Sequence, residues 1–395
     1  VTLDYRHAEH SRDFEPTDNY VHLRERCPLH FEAEHDPSFY VLSRFDDIVG
    51  LLRQPDVWRN GDGPGVFYQD NGVLGTADEP DHGRHRRLLR PAFLPTAIAR
   101  LEPRLRAVTD ELIDSFIADG EGDFVELLAA PLPALAIAEL LGVDGEDRES
   151  FGRLSADAVQ ALTGGDVERY HDAKRMLEDH VEAGVEHRRS LRRAEQPIPN
   201  DVLSLLAVAI EEGTIDQREM RHLGYQLLVA GHETTTSLLG MMLYRLLERP
   251  DLMARLRAEP ALLPAAIEEA LRFDSPVQGL FRTNASKATI HDQTIPVGTK
   301  VQLLFASANR DSAHFDSPDT FAIDRESSEI GHHVAFGWGI HHCIGAPLAR
   351  LETRVVFEQV LARMDDIELA GDPQRNDSFV LHGLVHLPIR WTPRR

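Results

Sequence analysis

Residues 332–345 read His332-His333-Val334-Ala335-Phe336-Gly337-Trp338-Gly339-Ile340-His341-His342-Cys343-Ile344-Gly345. The stretch sets one cysteine at the end of a glycine-rich run, just ahead of an apolar helical pattern expected over Ile344–Met364. Glycine tolerates backbone conformations that other residues avoid, so such a run can turn tightly and approach a ligand closely. A helix beginning next to a cysteine turns its unpaired N–H groups and positive dipole end toward the sulfur, which favours the thiolate. A loop open over a stabilised thiolate suits an axial metal ligand. An isolated cysteine in a glycine turn would more often be inert and buried. A zinc site from His332, His333, His341, His342 and Cys343 is a further alternative. It is disfavoured because adjacent histidines point different ways and no second cysteine pair exists.

Working outward, the chain has 395 residues, and its 42% apolar and 27% charged residues are ordinary for a folded globular protein. Asp plus Glu number 65 against 42 Lys plus Arg, a net charge of -23. So acidic a surface repels phosphates and anionic lipid, which argues against nucleic acid and membrane partners. With only two cysteines, Cys27 and Cys343, a disulfide framework is excluded and a cytoplasmic location is expected. The N-terminal stretch is charged and lacks an apolar core. The most apolar segment, Leu223–Leu247, is interrupted by His232, Glu233, threonines and a serine, so no membrane anchor is expected.

The periodicity is mainly helical. A strand is expected at Phe39–Ser43, and helices at Asp46–Arg53, Asp81–Ala92, Ala97–Ile117, Phe124–Leu141, Asp166–Arg193 and Val202–Glu211. Asp201 is placed to cap the last of these. Asn60–Gly75 reads as a long loop. A helix over Asp216–Glu248 would be roughly 50 Å long, apolar on nearly every face in its second half, and ended by Pro250. A helix over Leu262–Phe273, strands at Thr289–Ile295 and Lys300–Leu304, and strand-like pieces at the end complete the pattern. The expected fold class is mainly α with a minor β part, one domain over residues 1–395.

Three further clusters carry chemistry. Ala230-Gly231-His232-Glu233-Thr234-Thr235 places a carboxylate and hydroxyls in the apolar part of the long helix, where burial is costly unless something is gained. A carboxylate beside a hydroxyl can relay protons, and a threonine can bond the carbonyl four residues back and loosen the helix. The reading of His232-Glu233 as the start of a zinc-protease motif fails, because Thr236 stands where the second histidine is required. Glu269 and Arg272 are three apart on one helix and share a face. His82 and Arg86 share a face of the basic segment Asp81–Arg87, where Arg84 and Arg90 read as a solvated basic face.

Phe336, Gly337, Gly339, His341, Cys343 and Gly345 fit the pattern F-G-x-G-x-H-x-C-x-G, and with it the chain resembles the cytochrome P450 family. Ordered landmarks from His82 to Arg350 agree. The resemblance implies the P450 fold, with a long central helix over a haem b whose iron is held by the Cys343 thiolate. It implies that Glu233 and Thr234 deliver protons during dioxygen activation. It also implies that His82, Arg86, Arg282 and His341 hold the propionates, and that Glu269 and Arg272 pair with Arg325 to fold the cysteine loop. The expected activity is monooxygenation of a hydrophobic small molecule, with electrons from a separate ferredoxin and ferredoxin reductase. The alternatives are a peroxygenase or rearranging haem-thiolate enzyme, or a haem-binding sensor. Arg87, Arg90, Arg350 and Arg354 are the expected docking cations. Phe67, Val73, Leu74, Ala230, Val277, Leu280 and Phe379–Val380 are the expected substrate contacts.

Overall fold

The computed structural model describes residues 18–68, 72–143, 152, 154–155, 167–376, 378 and 380–394; Phe379 lies outside them. Backbone contacts group the chain into two compact units, each assembled from discontinuous segments. The first takes the described residues of Val1–Gly83, Ala261–Cys343 and Arg375–Gly383; the second takes those of Arg84–Pro260, Ile344–Gln374 and Leu384–Arg395.

The first unit is built on a five-stranded sheet. Its strands run in the order Leu29–Glu32, Phe39–Leu42, Lys300–Leu303, Leu280–Asn284 and Trp58–Arg59. Phe39–Leu42 and Lys300–Leu303 are parallel, with Tyr40 opposite Val301. In the antiparallel neighbour, Arg282 lies opposite Val301 and Thr283 opposite Lys300. Leu42, Val301 and Leu303 pack with Ile48, Leu51, Phe305 and Phe315 into a core. The expected strand Thr289–Ile295 is instead a hairpin of Ala288–Ile290 and Gln293–Ile295. His291 and Asp292 turn it with φ of 47 and 64°, the pair of positive φ values a tight two-residue hairpin loop requires.

In the second unit the long helix runs Gln217–Glu248. Asp216 caps it reciprocally: its side chain accepts from Glu219 N at 2.7 Å, and Glu219 accepts from Asp216 N at 2.9 Å. Every residue from Thr235 to Leu243 is buried, as the all-round apolar pattern demands. The helices Pro131–Leu141 and Val167–Arg193 pack against it. A Cβ on Gly231 would come 2.7 Å from the Ile137 side chain, and one on Gly224 would come 2.6 Å from that of Val181, so a larger residue at either position would force its neighbour to shift. Asp201 caps Val202–Glu211 as expected, accepting from Ser204 N. The single helix expected over Phe124–Leu141 is two elements, a π-helical turn Val125–Ala129 and a helix from Pro131. Pro131 has no N–H to continue the ladder but fits a first helical turn. The last helix, Ala346–Arg363, packs on Pro95–Phe116. Among the described residues no helix is long and apolar enough to cross a membrane.

Candidate active site

The cysteine loop owes its shape to glycine. Gly337 and Gly339 have φ of 69 and 70°, and a Cβ on Gly339 would sit 2.9 Å from the Leu52 carbonyl oxygen. Cys343 N donates to Phe336 O at 2.8 Å and Gly337 N to Val334 O at 2.9 Å, so the loop closes on itself. Cys343 is exposed, and the following helix begins three residues later at Ala346, with Gly345 at its cap. Cys27 differs in every respect. It is half-buried, its Sγ donates to Leu29 O at 3.6 Å, and burial pushes its thiol pKa up. Among the described residues no three His, Cys, Asp or Glu side chains cluster in a way that could hold a metal ion.

Glu269, Arg272 and Arg325 come together in the interior. Glu269 and Arg272 are both fully buried. Arg272 meets the carboxylate with Nε and Nη2 at 2.8 Å each, and Arg325 Nε reaches its two oxygens at 3.1 and 3.0 Å. Ala322 N adds a fourth donor at 2.8 Å. Arg272 also donates to Asn309 O and Pro318 O, and Arg325 to Ser317 O and Thr320 O. A buried ion cluster repays its desolvation only when its hydrogen bonds are made this completely. The sequence reading missed Asn309. Its main-chain oxygen takes Arg272, and its side-chain oxygen accepts from Val334 N at 2.7 Å, two residues before Phe336. Asn309 thus links the ion cluster to the start of the cysteine loop. Nothing in the local pattern around Asn309 signals this, because its partners are 25 and 37 residues away.

The anion-binding candidates gather in part. The His82 and His341 rings lie 4.0 Å apart, and His82 Nδ1 is 3.3 Å from Glu79 Oε1. Arg86 is half-buried, four residues on from His82 along the helix Asp81–Leu89. Arg282 is buried; Nη1 donates to the Phe281 carbonyl at 2.8 Å, and burial pulls its pKa down to about 10, partly opposed by Asp78. A guanidinium held so far from water is stabilised by an incoming anion. That donor chemistry, with an exposed cysteine in a glycine loop, fits a haem bearing two carboxylates.

Glu233 and Thr234 are half-buried neighbours on the long helix, which stays α-helical through them. Thr234 Oγ1 donates to Ala230 O at 2.8 Å and Thr236 Oγ1 to His232 O at 3.1 Å. His232 is buried: Nε2 is 3.0 Å from Ala130 O, and Nδ1 is 3.1 Å from Ser155 Oγ. The carbonyl can only accept, so Nε2 carries the proton and Ser155 donates to Nδ1. Desolvation pushes the His232 pKa down to about 4.

The basic segment needs a correction. Arg84 is not a solvated charge. It meets Glu219 with Nη1 at 3.0 Å and Nη2 at 2.6 Å, and buried His85 reaches the same carboxylate at 3.1 Å. Arg84 is the main cause that holds Glu219 down to about 2. The docking cations divide as well. Arg87 and Arg90 are exposed and Arg350 is half-buried. Arg354 pairs with Glu102 at 2.7 Å and Glu358 at 3.1 Å, and both carboxylates also bind Arg106. Of the expected substrate contacts, Val73 and Leu74 are buried, and Val277, Leu280 and Val380 are half-buried. Gln278 N donates to Val380 O at 2.7 Å, so the segments of Val277 and Val380 lie side by side. Phe67 and Ala230 are exposed.

The family model described as Cytochrome P450 matches residues 154–388. The chain is 34% identical to Cytochrome P450 107B1 of Saccharopolyspora erythraea, with 94% of each chain covered. It is also 34% identical to Vitamin D(3) 25-hydroxylase of Pseudonocardia autotrophica, covering 96% of this chain and 94% of that one. The crystal structure of CYP109E1 from Bacillus megaterium in complex with testosterone has a TM-score of 0.85 and 31% identity, covering 95% of this chain and 99% of that one. The chain belongs to the cytochrome P450 family, and is an oxidoreductase of its monooxygenase class whose cofactor is a haem with a cysteine thiolate as axial ligand.

Proposed function

We propose that Cys343 supplies that thiolate to a haem b, and that the protein hydroxylates a bulky, apolar small molecule with electrons from a separate ferredoxin and its reductase. The observation that carries the reading is an exposed cysteine in a positive-φ glycine loop, tied through Asn309 to a fully paired Glu269–Arg272–Arg325 cluster. When bound, the haem supplies activation of dioxygen and transfer of one oxygen atom to substrate. His82, Arg86, Arg282 and His341 would hold its carboxylates by charge-assisted hydrogen bonds. Phe336, Gly337 and Gly345 would shape the loop around the sulfur. The interleaving of both units along the chain supports one domain over residues 1–395.

Glu233 and Thr234 are the proposed proton-moving pair. The bond from Thr234 Oγ1 to Ala230 O commits the hydroxyl proton and leaves the oxygen lone pairs as acceptors. The adjacent Glu233 carboxyl is half-buried, so it can exchange protons with solvent and pass them along the helix face. This pair favours dioxygen chemistry over a peroxygenase or a sensor, since neither of those needs proton delivery. Relatives named for vitamin D(3) and crystallised with testosterone support a polycyclic apolar substrate. Val73, Leu74, Val277, Leu280 and Val380, with Ala230 and Phe67, are the side chains proposed to meet it.

The deciding measurement is the carbon monoxide difference spectrum of the reduced protein. A strongly red-shifted Soret band is expected, and it should vanish in Cys343→Ser; its survival there would remove Cys343 from the site. Thr234→Ala should keep the band yet divert reducing equivalents to peroxide. Full coupling in that variant would take Thr234 out of the relay.

A further inference from the structure

Lys300 is an unusual residue for its place. It opens an interior strand, faces Thr283 across the sheet, and is only 1% exposed. Lysine is almost never fully buried unless its ammonium is matched, because desolvating that charge is costly. Here Nζ donates to two main-chain oxygens of one loop, Asp62 O and Gly63 O, at 2.7 Å each. The Tyr68 ring lies over the same ammonium at 5.0 Å, and Tyr68 Oη donates to Gly298 O, two residues before Lys300. Phe281 N, on the neighbouring strand, donates to Pro64 O at 2.9 Å. At its base the loop is closed by Asp78, which accepts from Asn60 N at 2.7 Å and Gly61 N at 3.1 Å.

The loop Asn60–Tyr68 is therefore held at its base by a carboxylate and along its length by Lys300, Phe281 N and Tyr68. Apart from those of the Tyr68 side chain, these contacts are to the loop's backbone, so they set its conformation largely independently of the side chains at Asp62–Phe67. Between the latched carbonyls and Tyr68 sit Val66, buried against Phe39 and Phe281, and Phe67, 62% exposed. The latch thus divides one buried apolar residue from one presented to the outside.

We propose that Lys300 is a specificity-positioning residue: by clamping Asp62 O and Gly63 O beneath the Tyr68 ring, it fixes the loop that presents Phe67 and so selects bulky apolar ligands. The proposal rests on the reading of this loop as substrate-facing. Burial also pulls the Lys300 pKa down to about 8, with Asp62 opposing and Arg282 assisting the fall, which agrees with an ammonium enclosed by the loop.

The test uses the haem-loaded protein and three versions, wild type, Lys300→Met and the milder Tyr68→Phe. Backbone hydrogen exchange should rise about tenfold at Gly63 and Phe281 in Lys300→Met, as loss of two charge-assisted hydrogen bonds implies. Spectral titration with 4-phenylimidazole should weaken about tenfold, while imidazole, which lacks the apolar phenyl group, should change less than about twofold. Tyr68→Phe should move both readouts the same way by a smaller factor. Exchange at wild-type rates in both variants would overturn the latch. Faster exchange with an unchanged ratio of the two ligands would overturn the specificity role. If neither ligand perturbs the spectrum of the wild type, it is the haem reading of the site that fails, and the exchange result still judges the latch.

Discussion

Replacing His232 with glutamine tests how the long helix is anchored beside Glu233 and Thr234. His232 is buried, with Nε2 on Ala130 O and Nδ1 on Ser155 Oγ, and its pKa falls from 6.5 to about 4. The folded protein therefore refuses a proton that the unfolded chain accepts below about pH 6.5. Stability is fully present above that value and is lost as pH falls toward 4, where the folded state begins to bind the proton too. The interval is about 2.5 pH units, and at ~1.36 kcal/mol per unit the loss is about 3 kcal/mol. Urea midpoints of wild type and His232→Gln, measured between pH 7.5 and pH 4 (~0.5-unit steps), isolate this residue from the other histidines. At pH 7 the variant should be weaker by about 1–3 kcal/mol, for one or two disturbed buried hydrogen bonds. The two curves should then converge, because only wild type pays the acid penalty. Parallel curves over the whole range would refute the burial argument.

Other outcomes follow from the same geometry. Glu352 is buried on the helix Ala346–Arg363, and desolvation holds its pKa well above the ordinary carboxyl value. The neutral acid is the folded form, so stability should decline as pH rises toward that raised pKa, and Glu352→Gln should flatten the decline in thermal melts. Glu269→Ala leaves two buried guanidiniums without their carboxylate; a loss of about 3–5 kcal/mol in urea unfolding is expected, with loss of the red-shifted carbon monoxide band. Arg87→Glu should raise the Michaelis constant for ferredoxin with little change in stability. Arg354→Glu should instead lower Tm, because it breaks the pairing with Glu102 and Glu358; the reverse assignment of effects would show that Arg354 is the docking cation.

Much of the cysteine region was legible because its constraints are local. Gly337 and Gly339 stand where positive φ is needed, the long helix stops just before Pro250, and Asp201 caps its helix three residues from its partner. The spacing of Glu269 and Arg272 put them on one helix face. Where local rules compete, the reading slipped. The apolar run Phe124–Leu141 concealed a π turn before Pro131, and Thr289–Ile295 concealed a hairpin turned by two residues that are not glycine.

The sequence by itself determined the helical class, the glycine-shaped loop around Cys343, the ends of the long helix and the carboxylate–hydroxyl pair within it. Each depends on backbone preferences or on a period of 3.6 residues, which act over a few positions. Only the tertiary structure decided the partners of buried charge. It placed Arg84 on Glu219 rather than in solvent, Arg354 in an ion cluster rather than on an open basic face, Asn309 between Arg272 and Val334, and Lys300 under Asp62 and Gly63. Nothing in local spacing encodes such pairs. A buried polar group must find a partner somewhere, and chain packing, not sequence neighbourhood, decides which group that is.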